Sequence, residues 1–225
     1  MCVIAVSKRG AKQPNVEQLR NMFENNPDGA GYMYARDGVV VIHKGFMDFD
    51  DYYRTILEER FTKNDPVVYH FRISTQAGVN PQMTHPFPLT SNRELCEELD
   101  VECGIGIAHN GIILMTSDKK QTRFSDTAIF ITDYMTKLIR TEDDMTDPAT
   151  LTMIDYLTNS KWALMDGLTG DVVTVGKFIN DGGILFSNKT YKPWVPPVKN
   201  FKNGYYYGKG YDYDLSDFSD FSDFS

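Results

Sequence analysis

The chain opens on an unbroken apolar run, Cys-Val-Ile-Ala-Val at 2–6, which predicts a buried strand. Asn15 and Gln18 have the spacing of a helix N-terminal capping box, and Val16, Leu19, Met22 and Phe23 follow on one helical stripe. Asn-Pro-Asp-Gly at 26–29 predicts the turn that ends this helix. Residues 31–35 and 39–43 predict two strands joined through Arg36-Asp37-Gly38, a short hairpin. Phe49, Tyr52, Tyr53, Ile56 and Leu57 share the face of a second helix. In residues 66–74, Val67, Tyr69, Phe71 and Ile73 alternate with Val68, His70, Arg72 and Ser74, the period of a strand.

Residues 104–108 and 112–115 predict a further strand pair around Asn110-Gly111. Ser125 is placed to cap a helix carrying Ile131, Tyr134, Met135 and Leu138 on one side. Another helix is expected at 148–158, and short strands at 162–165, 172–175 and 184–186. Helices and strands are interspersed, yet many strand neighbours are hairpins. The expected class is therefore α+β with a mixed or antiparallel sheet and helices packed outside, not a doubly wound parallel sheet.

From residue 192 the pattern dissolves. Pro193, Pro196 and Pro197 precede a Gly/Tyr stretch, and Ser-Asp-Phe then repeats three times from Ser216 to Phe224. Two regions are expected: a folded domain at 1–191 and a tail at 192–225, disordered on its own, whose phenylalanines could dock on a partner.

Composition narrows the function. A formal net charge of −8 over 225 residues disfavours non-specific nucleic-acid binding and anionic membrane surfaces, both of which need clustered Lys and Arg. No apolar run approaches the roughly 20 residues of a membrane helix. In MCVIAVSKRG the apolar stretch precedes the basic residues, the reverse of a signal peptide, so a cytoplasmic location is expected. Cys2, Cys96 and Cys103 have neither metal-ligand spacing nor the even number of a disulfide framework. No metal and no cofactor is expected.

Cys2 is one cleavage from a chain terminus. Once Met1 is removed, one residue carries both a thiol nucleophile and an α-amine with a pKa of about 7.7–8.0, able to take the thiol's proton at neutral pH. The alternative is a small hydrophobe opening a core strand. Asn110-Gly111 reads as a hairpin turn, or as an oxyanion hole built from the Asn110 amide and the Gly111 N–H. Arg72 can grip a substrate carboxylate through two parallel hydrogen bonds, or pair with a structural one. Asp126, in the first turn of a predicted helix, favours the helix dipole, and it can also receive an ammonium group. Gly29 and Gly31 suit either a turn or a close backbone approach to the site.

Taken in order, these residues resemble the class II glutamine amidotransferase domain. The likeness runs through Met1-Cys2, Asp-Gly-Ala-Gly at 28–31, His-Phe-Arg-Ile-Ser-Thr at 70–75, Thr-His-Pro-Phe at 84–87, His-Asn-Gly-Ile-Ile at 109–113 and Ser-Asp-Thr at 125–127. The stretch 162–191, with Leu-Phe-Ser-Asn at 185–188, is similar to the end of short stand-alone members. The resemblance implies a four-layer αββα N-terminal-nucleophile (Ntn) hydrolase fold. It implies Cys2 as nucleophile with its amine as base, and Asn110 and Gly111 as oxyanion hole. Arg72 would hold the glutamine α-carboxylate, Asp126 its α-ammonium, and Thr75 would support the pocket. Gln76 stands where many members carry a histidine, and Ile73 where an aromatic often follows the arginine. His85 and His109 are read as structural, and His43 as a strand residue.

Members usually carry a second domain that consumes the ammonia, and the tail is too short for one. The resemblance thus implies either a separate acceptor protein or simple hydrolysis of a γ-glutamyl amide. A catalytically silent binding module using the aromatic tail is the third alternative. The length and repeated tail look like phage-encoded or small bacterial members, which would place the protein in a host cytoplasm.

Overall fold

A computed structural model describes residues 2–74, 78–117 and 123–194. The chain divides into two units, 1–192 and 193–225. The expected tail lies almost wholly outside the described residues, as do Met1 and Thr75.

In the first unit, β1 (Val3–Ser7) is followed by α1 (Val16–Asn25), β2 (Ala30–Arg36), β3 (Val39–Phe46), α2 (Phe49–Glu59) and β4 (Val67–Phe71). Then come β5 (Phe87–Pro88), β6 (Asp100–Cys103), β7 (Ile105–Asn110) and the single turn α3 (Leu114–Ser117). A helical stretch starts as α4 (Asp126–Phe130), passes through a π-helical segment at Ile131–Met135 and ends as α5 (Thr136–Leu138). The order closes with α6 (Glu142–Thr146), α7 (Pro148–Thr158), β8 (Lys161–Asp166), β9 (Val172–Val175), β10 (Ile179–Asp181) and β11 (Ile184–Phe186).

The described strands form a seven-stranded sheet, ordered β10-β11-β1-β4-β2-β3-β6, and a four-stranded sheet, ordered β5-β7-β8-β9. Every pairing is antiparallel, so the class is mixed α and β with antiparallel sheets.

Local chemistry accounts for much of this. Asn15 Oδ1 accepts the Gln18 N–H at 2.8 Å and Gln18 Oε1 accepts the Asn15 N–H at 3.1 Å, so the capping box forms as its spacing predicts. Asp37 and Gly38 turn β2 into β3 with φ of 52° and 84°, the left-handed pair a tight hairpin needs. Ser125 Oγ accepts the Ala128 N–H at 3.2 Å and starts α4.

The alternation of β1 and β4 distributes side chains to two apolar clusters. Val3, Ala5, Val67, Tyr69 and Phe71 pack with Leu19, Met22 and Phe23 of α1 and Phe49 and Tyr52 of α2. Ile4, Val6 and Val68 face the other way, joining Met33, Val40 and Ile42 against Ala108, Ala163 and Met165 of the smaller sheet. The far side of the smaller sheet presents Ile105, Ile107, Trp162 and Leu164 to Phe130, Ile131, Met135 and Ile154. Both faces of each sheet are covered, which is why the central strands carry apolar residues with little polar alternation.

The segment before β5 lies hard against β2. A Cβ on Gly31 would sit 2.3 Å from the His85 carbonyl oxygen, so this glycine permits close approach of backbone to backbone. Gly29, by contrast, has φ of 117° and serves the turn into β2. The same segment is pinned by Lys44, whose Nζ is buried and donates to the carbonyls of Gln82 (2.8 Å) and Cys96 (2.6 Å). Gly31→Ala is expected to destabilise the domain by about 1–3 kcal/mol, because neither backbone can yield. A lowered denaturation midpoint at unchanged m would register it, and an unchanged midpoint would refute the contact.

One expectation fails. Asn110-Gly111 does not join a strand pair, since Asn110 ends β7 opposite Lys161 of β8, and the chain goes on into the helical turn of α3. β7 takes its partners from β5 and β8, and Gly111 packs so closely on Ser160 that a Cβ there would lie 2.2 Å from Oγ. Tertiary pairing, not local turn preference, decides this corner.

Candidate functional site

Cys2 leads into β1 and lies half-buried beside the end of β4. Its Sγ donates to the Ile73 carbonyl at 3.6 Å. Its own carbonyl accepts from Asn188 Nδ2 at 2.7 Å, and Asn188 is held in turn by the Thr190 N–H and hydroxyl on its Oδ1. Burial pushes the thiol pKa up, against the lowering effect of the Arg72 charge. Burial prevails, so the resting group is a thiol, and an attack by sulfur requires a base to take its proton.

Arg72 follows the last residue of β4 and is only 4% exposed. Its backbone is clamped from both sides: its N–H donates to Gly29 O (2.8 Å), and its carbonyl accepts from the Asp28 N–H (3.0 Å). Asp28 Oδ2 also accepts the Ser74 N–H at 2.8 Å, and Arg72 Nη2 donates to Ser74 Oγ at 3.1 Å. Burial lowers the guanidinium pKa, and the charges of Cys2, Asp28 and Asp126 raise it. Arg72 therefore lies within electrostatic reach of the thiol and of two carboxylates distant in sequence.

Asp126 is half-buried in the first turn of α4. Its Oδ2 accepts the Ile113 N–H and its Oδ1 the Thr127 N–H, both at 2.8 Å. Burial raises its pKa against these bonds. The carboxylate thus orders the chain just past Gly111, a positioning task that helix-dipole reasoning does not reveal.

Asn110 is buried at 6% exposure, with Nδ2 2.9 Å from Ser187 Oγ. The same oxygen accepts the Ile4 N–H at 2.8 Å. Ser187 thereby ties the Asn110 side chain to the strand that starts at the candidate nucleophile. Beside this corner His70, His85 and His109 lie buried, with ring centroids 4.3 Å apart for His70–His85 and 6.2 Å for His85–His109. His70 Nε2 donates to the His109 carbonyl at 2.9 Å, and His109 Nδ1 contacts Thr127 Oγ1 at 2.8 Å. Burial holds His70 and His109 down at about 3 and His85 well below the ordinary value, so all three are neutral.

Cys2, Arg72 and Asp126 are thus brought into one neighbourhood, and Asn110-Gly111 is joined to it through Ser187. Thr75 lies outside the described residues. Among the described residues no group of three His, Cys, Asp or Glu side chains could hold a metal ion, and no helix is long and apolar enough to cross a membrane. Asp28, Ser187 and Asn188 carry much of the geometry without having been singled out by chemistry. The available signal was polarity out of place: Ser-Asn directly after the buried strand Ile184–Phe186, with Thr190 two residues on, the spacing of an Asx turn. No protein-family model matches the chain, and comparison with curated proteins finds no match.

Proposed function

We propose that the protein is a glutaminase of the class II glutamine amidotransferase kind, with a four-layer αββα Ntn-hydrolase fold. The observation that carries this reading is the meeting of Cys2 with Arg72 from the neighbouring strand, with Asp126 in reach and Asn110 tied to the same strand through Ser187. The three apolar clusters, alternating with the two sheets, are what a four-layer stack needs.

Removal of Met1 would leave Cys2 with a free α-amine. The thiol sulfur then attacks the glutamine side-chain carbonyl carbon as its proton passes to that amine. Negative charge develops on the carbonyl oxygen, where the Gly111 N–H and the Asn110 amide would meet it. Collapse breaks the carbon–nitrogen bond, the amine returns its proton to the departing nitrogen, and ammonia leaves. Water attacks the resulting γ-glutamyl thioester, releasing glutamate and restoring the thiol.

Arg72 would hold the α-carboxylate of glutamine. Asp126 would face its α-ammonium through Oδ2, which has a second lone pair beyond its bond from the Ile113 N–H. Ammonia would pass to an acceptor on a separate protein in the cytoplasm.

The test is glutamate release from glutamine by the Met1-processed protein, and the substrate clamp has its own signature. Arg72→Lys keeps the charge and loses the fork, so KM for glutamine is expected to rise about 10–100-fold, the worth of one charge-assisted hydrogen bond. Unchanged KM in that variant would remove Arg72 from the substrate site.

A further inference from the structure

The Asn110 amide and the Ser187 hydroxyl each leave one hydrogen-bonding group unused. Ser187 is fully buried, and its Oγ accepts the Ile4 N–H at 2.8 Å. With Asn110 Nδ2 on it at 2.9 Å, that oxygen accepts twice, and its own proton has no acceptor among the described residues. Asn110 Oδ1 meanwhile is buried with no partner. A hydroxyl offers one donor and two acceptor positions, and an amide has a donor end and an acceptor end of nearly equal shape.

One 180° turn of the amide gives the Ser187 proton and Oδ1 to each other and moves the unpaired position to the nitrogen. Ser187 O–H then donates to Oδ1, still accepting from Ile4, and Nδ2 occupies the place of the partnerless oxygen. There it is a buried donor with no protein acceptor, which is the condition of a group waiting for a ligand oxygen.

We infer that Ser187 is a positioning residue, which holds the Asn110 amide with its nitrogen turned toward the substrate carbonyl. The inference rests on the glutaminase reading and deepens it. It also explains why the oxyanion amide and the nucleophile are served by one piece of chain. Ser187 N–H donates to Ile4 O at 2.9 Å, and Lys161 Nζ donates to Ser187 O at 2.9 Å. Asn188 Nδ2 holds the Cys2 carbonyl. The Ser187-Asn188 pair therefore sets the Asn110 donor and Cys2 relative to one another.

Two measurements on the processed full-length protein test this. Neutron diffraction of the wild type should place the amide nitrogen of Asn110 away from Ser187; nitrogen facing Ser187 Oγ overturns the inference whatever the activity. In kinetics, Ser187→Ala should lower kcat for glutamine about 10–100-fold with KM within about twofold, since the lost interaction serves only the developing charge. Asn110→Ala should cost about 10²–10³-fold, and the double variant no more than that, because Ser187 acts only through the amide. Ser187→Thr keeps the hydroxyl and should retain activity, which guards against a simple loss of fold in Ser187→Ala. Multiplying losses, or an unchanged kcat in Ser187→Ala, would sink the positioning role. A wild type that turns over no glutamine, with the amide nitrogen nevertheless turned away from Ser187, would instead defeat the glutaminase reading and leave the orientation standing.

Discussion

Cys2→Ala is expected to abolish glutaminase activity, lowering kcat by at least about 10⁴-fold while the protein still folds and binds glutamine. The size follows from the chemistry. Without sulfur there is no thioester, and the remaining donors can only assist direct attack by water. Stability should change little, because Cys2 is half-buried and its fixed contacts are one weak S–H bond and a backbone carbonyl that alanine retains. Cys2→Ser is nearly isosteric and separates sulfur chemistry from packing; it too should be inactive at neutral pH, since a hydroxyl is a far weaker nucleophile than a thiol. Glutamine turnover by Cys2→Ala at the wild-type rate would end the enzymatic reading and favour a binding module. Turnover of other γ-glutamyl amides, with glutamine untouched, would favour an amidase that transfers no ammonia.

The second large effect is on stability in acid. His70, His85 and His109 are neutral in the fold, whereas in the unfolded chain each titrates near 6.5. Unfolding below that value therefore takes up about three protons, and stability falls with pH by roughly 4 kcal/mol per unit. The stabilising difference is fully present above pH 6.5 and is lost as pH falls toward about 3, where His70 and His109 begin to charge in the fold. Asp126, its pKa raised by burial, works in the opposite sense, but it is one group against three. For a domain of about 5–15 kcal/mol the acid midpoint should lie between roughly pH 3 and 5.

His85 allows a sharper check. Its ring lies 4.7 Å from Phe87 and 4.3 Å from His70, and neither of its ring nitrogens has a partner, so a phenylalanine fits the site chemically. His85→Phe should flatten the acid transition by about one proton of three. An unchanged slope, measured by circular dichroism across pH, would show that this ring does not govern acid unfolding.

The elements legible in the sequence were those whose signals are local. The Asn15–Gln18 box and the left-handed Asp37-Gly38 turn each fix backbone geometry through their own residues. The strands β5, β6 and β10 were not legible, because Phe-Pro, Asp-Val-Glu-Cys and Ile-Asn-Asp lack the short apolar run that marks Val172–Val175 and Ile184–Phe186. They exist only by pairing with β7, β3 and β11. In the helix after Ser125, the π segment Ile131–Met135 shifts the buried face, so Ile131 and Met135 enter the core while Tyr134 and Leu138 stay at its margin.

The site divides along the same line. Cys2, Arg72 and Asp126 were visible as residue types suited to a task. Ser187 was not, because its importance comes from standing between Ile4 and Asn110, 183 residues from the first and 77 from the second. Asp126 shows how the two levels combine, since the side chain suited to an ammonium group also anchors the Ile113 N–H.

The most direct measurement is the mass of the protein quenched in acid during turnover of glutamine. The mature chain should lack Met1 and carry the increment of one γ-glutamyl group, located by peptide mapping on the N-terminal cysteine. Glutamate release by a chain that keeps Met1, or an acyl group found on Cys96 or Cys103, would contradict the account.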